Sequence, residues 1–313
     1  MANALTAPHF QSHEAAREWL EATRWSDGPV CSHCGTVGRA YTLKTKPGWY
    51  RCGEKECRKD FTVTTGTVME RSKIALNKWL MAFYLMSASK KGISAHQLHR
   101  ALGIDYKSAW FMCHRIREAM RVGGLDPLGG EGKIVEADET YFGRAKEKKL
   151  LKPRSTPYTK GGWKDKGAAR PIVALVERKG NVRTFHVEHA DKVTVAKIVS
   201  DNIDRETRLM TDESKLYTTV GAEFVSHETV KHSAKEYARG DVNTNTVEGY
   251  FSIFKRGMKG IYQHCGEKHL HRYLAEFDHR YNHRVGLGFS DIDRTIIAIR
   301  GIAGKRLTYR QAD

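Results

Sequence analysis

Residues 243–259 read NTNTVEGYFSIFKRGMK, and the fold turns on which faces of this stretch meet the rest of the chain. At 100° per residue, Val247, Phe251, Phe254 and Met258 fall on one narrow stripe. Asn245, Glu248, Ser252, Lys255 and Lys259 fall on a second stripe, about a quarter to a third of a turn away. One face can pack into a core. Its neighbour presents an amide, a carboxylate, a hydroxyl and two ammonium groups in a row. A solvated face of an amphipathic helix has the same pattern, so the elements upstream have to decide.

Those elements alternate between strand and helix. KIVEADETYFG, residues 133–143, predicts a strand with Glu136, Asp138 and Thr140 on one face. Residues 144–170 are rich in Lys, Gly and Pro without a period, which predicts a long basic loop. Residues 170–177 and 181–187 predict two strands turning at Lys179-Gly180-Asn181. A helix is expected over 190–203, a strand over 208–211 with Asp212 at its end, a helix over 214–219 and a strand over 223–226. A strand hairpin, a helix, an Asp-bearing strand and a late acidic helix follow the ribonuclease-H-like order, an α/β domain with a mixed sheet. In that order the first and fourth strands are neighbours, so Asp138 and Asp212 meet and Glu248 on the late helix supplies a third acid. Hard oxygen ligands suit Mg2+ or Mn2+. Two such ions can assist an in-line phosphoryl transfer. Glu136, Glu139 and Glu213 are adjacent acids whose faces or positions fit this role less well.

Toward the N-terminus, residues 123–132 (GGLDPLGGEG) predict a linker. Before it lies a helical block. Residues 72–87 form a strongly apolar helix, and residues 92–120 carry a helix-turn-helix pattern. Ser94 with Gln97 makes a capping box, Gly103 ends the first helix and Asp105 caps the second. The second helix packs through Ala109, Met112, Ile116 and Met120. That leaves Lys107, Ser108, His114, Arg115 and Arg117 for DNA, with Tyr106, Lys107 and Ser108 entering a groove first. Further upstream, Cys31-x2-Cys34 and Cys52-x4-Cys57 flank a hairpin turning at Pro47-Gly48. Two such pairs predict a zinc ribbon with one structural Zn2+ on four thiolates. His33 is superfluous to that set, and Cys113 and Cys265 are packing residues.

Composition agrees with a polyanionic partner. The 313 residues carry 53 Lys and Arg against 36 Asp and Glu, a net charge of +17. No run approaches the ~20 apolar residues of a membrane span. The first twenty residues lack a basic start followed by an apolar core, which points to the cytoplasm, with the nucleoid as the site of action. Downstream, a helix over 269–282 places Leu270, Tyr273, Leu274, Phe277 and Tyr281 on one side, suited to cover the sheet. Arg280 and Arg284 reach either DNA or an ion pair with Glu276 or Asp278. The expected divisions are an N-terminal segment with the ribbon (1–70), a helix-turn-helix domain (71–122), a linker (123–132), the ribonuclease-H-like domain (133–300) and a frayed tail (301–313).

The segments ADETYFG, TDES, NTNTVEGYFSIFKRGMKGIYQH and RYLAEFDHRYNHR together resemble DDE-type insertion-sequence transposases. The nearest group is the IS-fifteen-ninety-five family. The resemblance extends through CRKDFTVTTGTVMERSKIALNKWL and the helix-turn-helix segment, nearly the whole chain. It implies double-stranded DNA as partner, both terminal inverted repeats and target, with cleavage and strand transfer by a metal-dependent site acting as a dimer or larger assembly. The family pattern has two aspartates, then Asn, Glu or His, then Lys. Asn245 matches its Asn, Glu248 lies one turn on, and Lys255 matches its Lys. A carboxylate is the better ligand for a divalent cation, which favours Glu248 with Asn245 assisting. Lys255, Arg256 and Lys259 would hold backbone phosphates. The C-x4-C spacing departs from the tighter knuckle common in the family. A zinc-ribbon regulator with an inactive catalytic fold, or a ribonuclease-H-like nuclease or resolvase, shares parts of this pattern without joining ends.

Overall fold

The computed structural model describes residues 4–143, 170–234, 236 and 238–308. The expected basic loop lies outside the described residues, save Arg170. The chain forms two compact units, one from the described residues up to Gly124 with those from Ala275 onward, the other from Leu125–Leu274.

In the first unit, a short helix α1 (Pro8–Gln11) and α2 (His13–Arg24) precede three small strands, β1 (Ala40–Thr42), β2 (Tyr50–Cys52) and β3 (Asp60–Phe61). The strands pair antiparallel in sequence order. So few residues have little core of their own, and aromatic rings supply it: Trp25 meets Tyr50 edge-on at 5.3 Å, and Tyr50 stacks on Phe61 at 5.7 Å. The Tyr50 hydroxyl donates to Glu21 of α2 at 3.0 Å, which fastens the helix to the ribbon.

Three helices follow: α3 (Leu76–Ala88), α4 (Ala95–Leu102) and α5 (Tyr106–Met120). The Ser94–Gln97 capping box forms in both directions, and Gly103 closes α4 with φ of 58°, where a side chain would be strained. Asp105 accepts from the Ser108 amide at 3.2 Å to start α5. Ala109, Met112, Ile116 and Met120 are buried, as their spacing predicts. His114, Arg115 and Arg117 are buried as well, so α5 hides much of the side expected to face DNA. Of the segment expected to fray, the start is held in place, while residues 309–313 lie outside the described residues. Ile302 is fully buried, its carbonyl accepts from Val68 N at 3.3 Å, and Thr67 bridges Ala303.

The second unit is built on a five-stranded sheet: β4 (Ile134–Phe142), β5 (Arg170–Glu177), β6 (Val182–His186), β7 (Arg208–Asp212) and β8 (Ser226–Val230), in the order β6-β5-β4-β7-β8. β4, β5 and β6 pair antiparallel, whereas β4, β7 and β8 pair parallel. The sheet is therefore mixed, with β4 at its centre. Alternation assigns the faces. Val135 and Ala137 point into a core with Val195, Val199, Tyr217 and Val220 from α6 (Lys192–Asn202) and α7 (Thr218–Gly221). Glu136 and Asp138 point to the other face, which α8 (Asn245–Gly257) covers. The apolar stripe read from sequence is the one α8 buries: Val247, Phe251, Phe254 and Met258 are 4 % exposed or less. The expected linker is less free than its composition implies, because Leu128 is buried and bridges Ile203.

α9 (Leu270–Asn282) begins in this unit and ends in the other, where α10 (Asp291–Arg300) follows. The second half of α9 belongs to the unit with the ribbon. There Glu276 is fully buried and takes Arg117 of α5 at 2.6 Å together with Arg280. Arg280 thus makes the ion pair rather than reaching outward. None of the described helices is long and apolar enough to cross a membrane.

Candidate active site and metal centres

The parallel ladder of β4 and β7 aligns Ile134 with Arg208, Val135 with Leu209 and Glu136 with Met210. Continued by two residues beyond the last pair, that register sets Asp138 level with Asp212. Asp138, midway along β4, and Asp212, the last residue of β7, thus stand on adjacent central strands just past their shared ladder. Glu248, in the first turn of α8, is the third acid whose charge reaches Asp138. Burial, then the like charges of Asp212 and Glu139, push the Asp138 carboxyl up to about 7, with Glu248 adding to the push. The Glu139 amide, donating to Asp138 Oδ1 at 2.7 Å, pulls the other way.

Each acid is held by its own neighbours. Asp212 Oδ1 accepts from Ser214 N at 3.0 Å, a turn that redirects the chain after β7. Thr244 Oγ1 donates to Glu248 Oε1 at 2.9 Å, and His232 Nε2 lies 3.5 Å from the same oxygen. Glu139 points to the opposite face from Asp138 and accepts from the buried Tyr217 hydroxyl at 2.8 Å. Glu213 accepts from the amide and hydroxyl of Ser233, at 2.9 and 2.7 Å, and so anchors the turn that carries His232. Tyr217, His232 and Thr244 were not singled out from sequence. Tyr217 lies 78 positions from Glu139, and His232 and Thr244 stand in the short turns before α8, where no sequence period marks them. Glu136 was set aside, yet it is fully buried against the start of α8.

The basic members divide. Asn245 is exposed at the first position of α8, with its amide bonded to Asn243 Oδ1 at 3.2 Å. Lys255 lies two turns beyond Glu248, its ammonium 6.0 Å from the Phe251 ring. Arg256 turns back along the helix onto Ser252, with Nη2 at 2.5 Å from Oγ. Lys259 is exposed in the wide turn Met258–Tyr262. In the other unit, Tyr106 is exposed and stacks on His96 at 4.2 Å, beside exposed Lys107 and half-buried Ser108. Arg115 is not with them. It is 7 % exposed, donates to the Glu70 carbonyl at 2.7 Å and lies over the Trp79 and Phe111 rings.

The second centre is the ribbon. Cys31, Cys34, Cys52 and Cys57 bring their sulfurs within 4.8 Å of one another, and no other described group of three or more His, Cys, Asp or Glu closes so far. Cys31 and Cys57 are 3.8 Å apart and Cys34 and Cys52 3.6 Å, and all four are free thiols. Four thiolates ~2.3 Å from a common tetrahedral centre stand ~3.8 Å apart, so the spacing fits zinc rather than two disulfides of ~2 Å. The wider C-x4-C loop is accommodated by a turn in which Cys57 N and Arg58 N both bond the Glu54 carbonyl. His33 turns away to the Asp60 carbonyl at 3.3 Å, consistent with a site already complete.

Comparison with known proteins gives the same two parts. The transposase zinc-ribbon domain matches residues 11–60, and the ISXO2-like transposase domain matches residues 127–282. A protein of Halobacterium salinarum, described as an uncharacterized protein in transposable element ISH50, is 28% identical over 285 residues, 87% of this chain and 91% of that one. A chain of the Mos1 strand transfer complex is 10% identical with a TM-score of 0.23 over 62% of this chain and 72% of its own, too loose a likeness to bear on the fold. With both domains matched in order, and a relative from an insertion element aligned along most of its length, the chain belongs to the IS1595 family of insertion-sequence transposases.

Proposed function

We propose that this transposase binds the terminal inverted repeats of an insertion sequence and carries out metal-dependent DNA cleavage and strand transfer with Asp138, Asp212 and Glu248. The observation that carries this reading is the crowding at Asp138. A largely buried carboxylate with the like charges of Asp212, Glu139 and Glu248 around it is poised to bind a cation. The mixed sheet with Asp138 on its central strand and Asp212 on the parallel neighbour supports a ribonuclease-H-like catalytic fold. The donor set, carboxylate oxygens on a firm strand pair and a helix, fits Mg2+ or Mn2+.

Asp138 and Asp212 would hold the ions from the sheet and Glu248 from the helix. When bound, a pair of such cations stabilises the charge on the attacking and leaving oxygens of an in-line phosphoryl transfer. The chain's own contributions follow from placement. The Thr244 hydroxyl orients Glu248, and Ser214 N orients Asp212. Lys255, on the Glu248 side of α8, faces the phosphate backbone, and Lys259 extends that row. Tyr106, Lys107 and Ser108 at the start of α5 suit a groove-reading helix within a helix-turn-helix, and the zinc ribbon adds a second small DNA-binding module.

The test is a purified full-length protein acting on a DNA fragment bearing the element's inverted repeats, with Mg2+ or Mn2+. Asp138→Asn and Asp212→Asn are each expected to lower cleavage and end joining at least about a hundredfold while DNA binding persists. Either variant retaining full cleavage and joining overturns the assignment. Cleavage without joining by the unaltered protein would favour a nuclease.

A further inference from the structure

The start of α8 is capped from a distance. Thr244 occupies the N-cap position, but its hydroxyl bonds Glu248 and gives no cap hydrogen bond. The first-turn amides of a helix lack partners within the helix and carry partial positive charge. Here they are met by Glu136, a residue 110 positions earlier on the central strand. Its Oε2 accepts from Thr246 N at 2.8 Å and Val247 N at 2.9 Å, and its Oε1 from Thr246 Oγ1 at 2.8 Å. Arg178 Nε donates to Oε1 at 2.6 Å. The same guanidinium reaches the Asp241 and Asn243 carbonyls at 2.7 and 2.8 Å, so the segment entering the helix is held as well. Glu136 is fully buried, a placement tolerated only because every acceptor direction is filled.

We propose that Glu136 is a positioning residue for the acidic site, locking the first turn of α8 to β4 so that Glu248 is held at a fixed distance from Asp138. This rests on Glu248 being the third metal-binding acid. The geometry is direct. Glu136 and Asp138 are on one face of one strand, about 7 Å apart along it. Val247, whose amide Glu136 accepts, immediately precedes Glu248. The carboxylate therefore ties the strand acid and the helix acid through one buried joint, and it frees the Thr244 hydroxyl to orient Glu248. A plain buried ion pair filling space would predict nothing for the metal.

Mn2+ binding to the zinc-loaded full chain, read by calorimetry, separates these roles. Glu136→Gln keeps the shape but presents an amide donor to the helix donors. With its circular dichroism spectrum unchanged, it is expected to weaken Mn2+ binding about ten- to a hundredfold and to raise the Mn2+ concentration for half-maximal cleavage alike. Thr246→Val removes one of the bonds with little change of volume and is expected to weaken binding two- to tenfold, which covers the case in which Glu136→Gln does not fold. Glu136→Gln combined with Glu248→Gln should bind no more weakly than Glu248→Gln alone, since both act through one ligand. A folded Glu136→Gln that binds Mn2+ like the unaltered protein overturns the inference, as does Thr246→Val with unaltered binding, or an additive loss in the double variant. If Glu248→Gln itself leaves Mn2+ binding unchanged, the assignment of the third acid fails instead, and with it the basis of the inference.

Discussion

Asp138 holds its proton to a pH well above that of an ordinary aspartate, up to about 7 from 3.8. Between those values the folded chain binds more protons at this site than the unfolded chain does. Stability therefore falls as pH rises through that window, and the site's contribution is lost above about 7. In Mg2+-free buffer, thermal melts are expected to show this decline from pH 5 to 8, and Asp138→Asn to flatten it. A slope of equal size in the variant would place its origin elsewhere. The same logic makes metal binding tighten as pH rises through 7, because the cation competes with that proton. Arg115 makes a contrasting case. Its residue type suits DNA, but its surroundings are the Trp79 and Phe111 rings and the Glu70 carbonyl. Arg115→Ala should cost about 2–3 kcal/mol in urea unfolding through lost packing and a lost hydrogen bond, with no change in the salt dependence of DNA binding. Lys107→Ala should do the reverse, reducing the salt slope by about one unit at little cost in stability.

At the scale of elements, alternation and helical period carried much of the reading. The strand through Asp138, the strand ending at Asp212 and the buried stripe of α8 stand where residues 133–143, 208–211 and 243–259 place them. Local chemistry was equally legible at the Ser94–Gln97 box and the four cysteines. What escaped is non-local. Alternation puts Glu136 beside Asp138, but nothing in the strand shows that a helix 110 residues later lacks its own cap. Helical period gives α5 an apolar stripe, but not that Glu276 will draw Arg117 inside. α10 has a readable signal, the Ser290–Asp293 capping box, and only its destination was hidden. The ribbon gives a test at this scale. Cys52→Ser should lower zinc affinity more than about a hundredfold and erase the near-ultraviolet signal of Trp25, Tyr50 and Phe61, because so small a sheet depends on its metal. Retention of that signal after zinc release would show that the aromatic cluster suffices alone.

For the whole molecule, the division into units does not follow chain order. Ala298, Ile299 and Ile302 belong to the same core as Leu20, Phe61, Trp79 and Ile116. The unit with the ribbon is thus closed by residues from the far end of the chain. Ile302→Ala should destabilise that unit by about 2–4 kcal/mol, read as increased proteolysis within α3 to α5. Protection of those helices at the unaltered level would show that the terminal segment is dispensable to them.

That closure also sets an order in time. A ribosome releases the stretch from Leu125 to Leu274 as one contiguous run, so the sheet with its acids can complete itself while synthesis continues. The ribbon-bearing unit, whose first part is made before that stretch, must wait for Ile302 to emerge before its core is whole. The usual sequence of vectorial folding, first-made domain first, is inverted. A nascent or prematurely terminated chain would therefore expose a finished sheet attached to an unfinished ribbon-bearing half, and quality control would meet the defect upstream of the sheet rather than at the broken end.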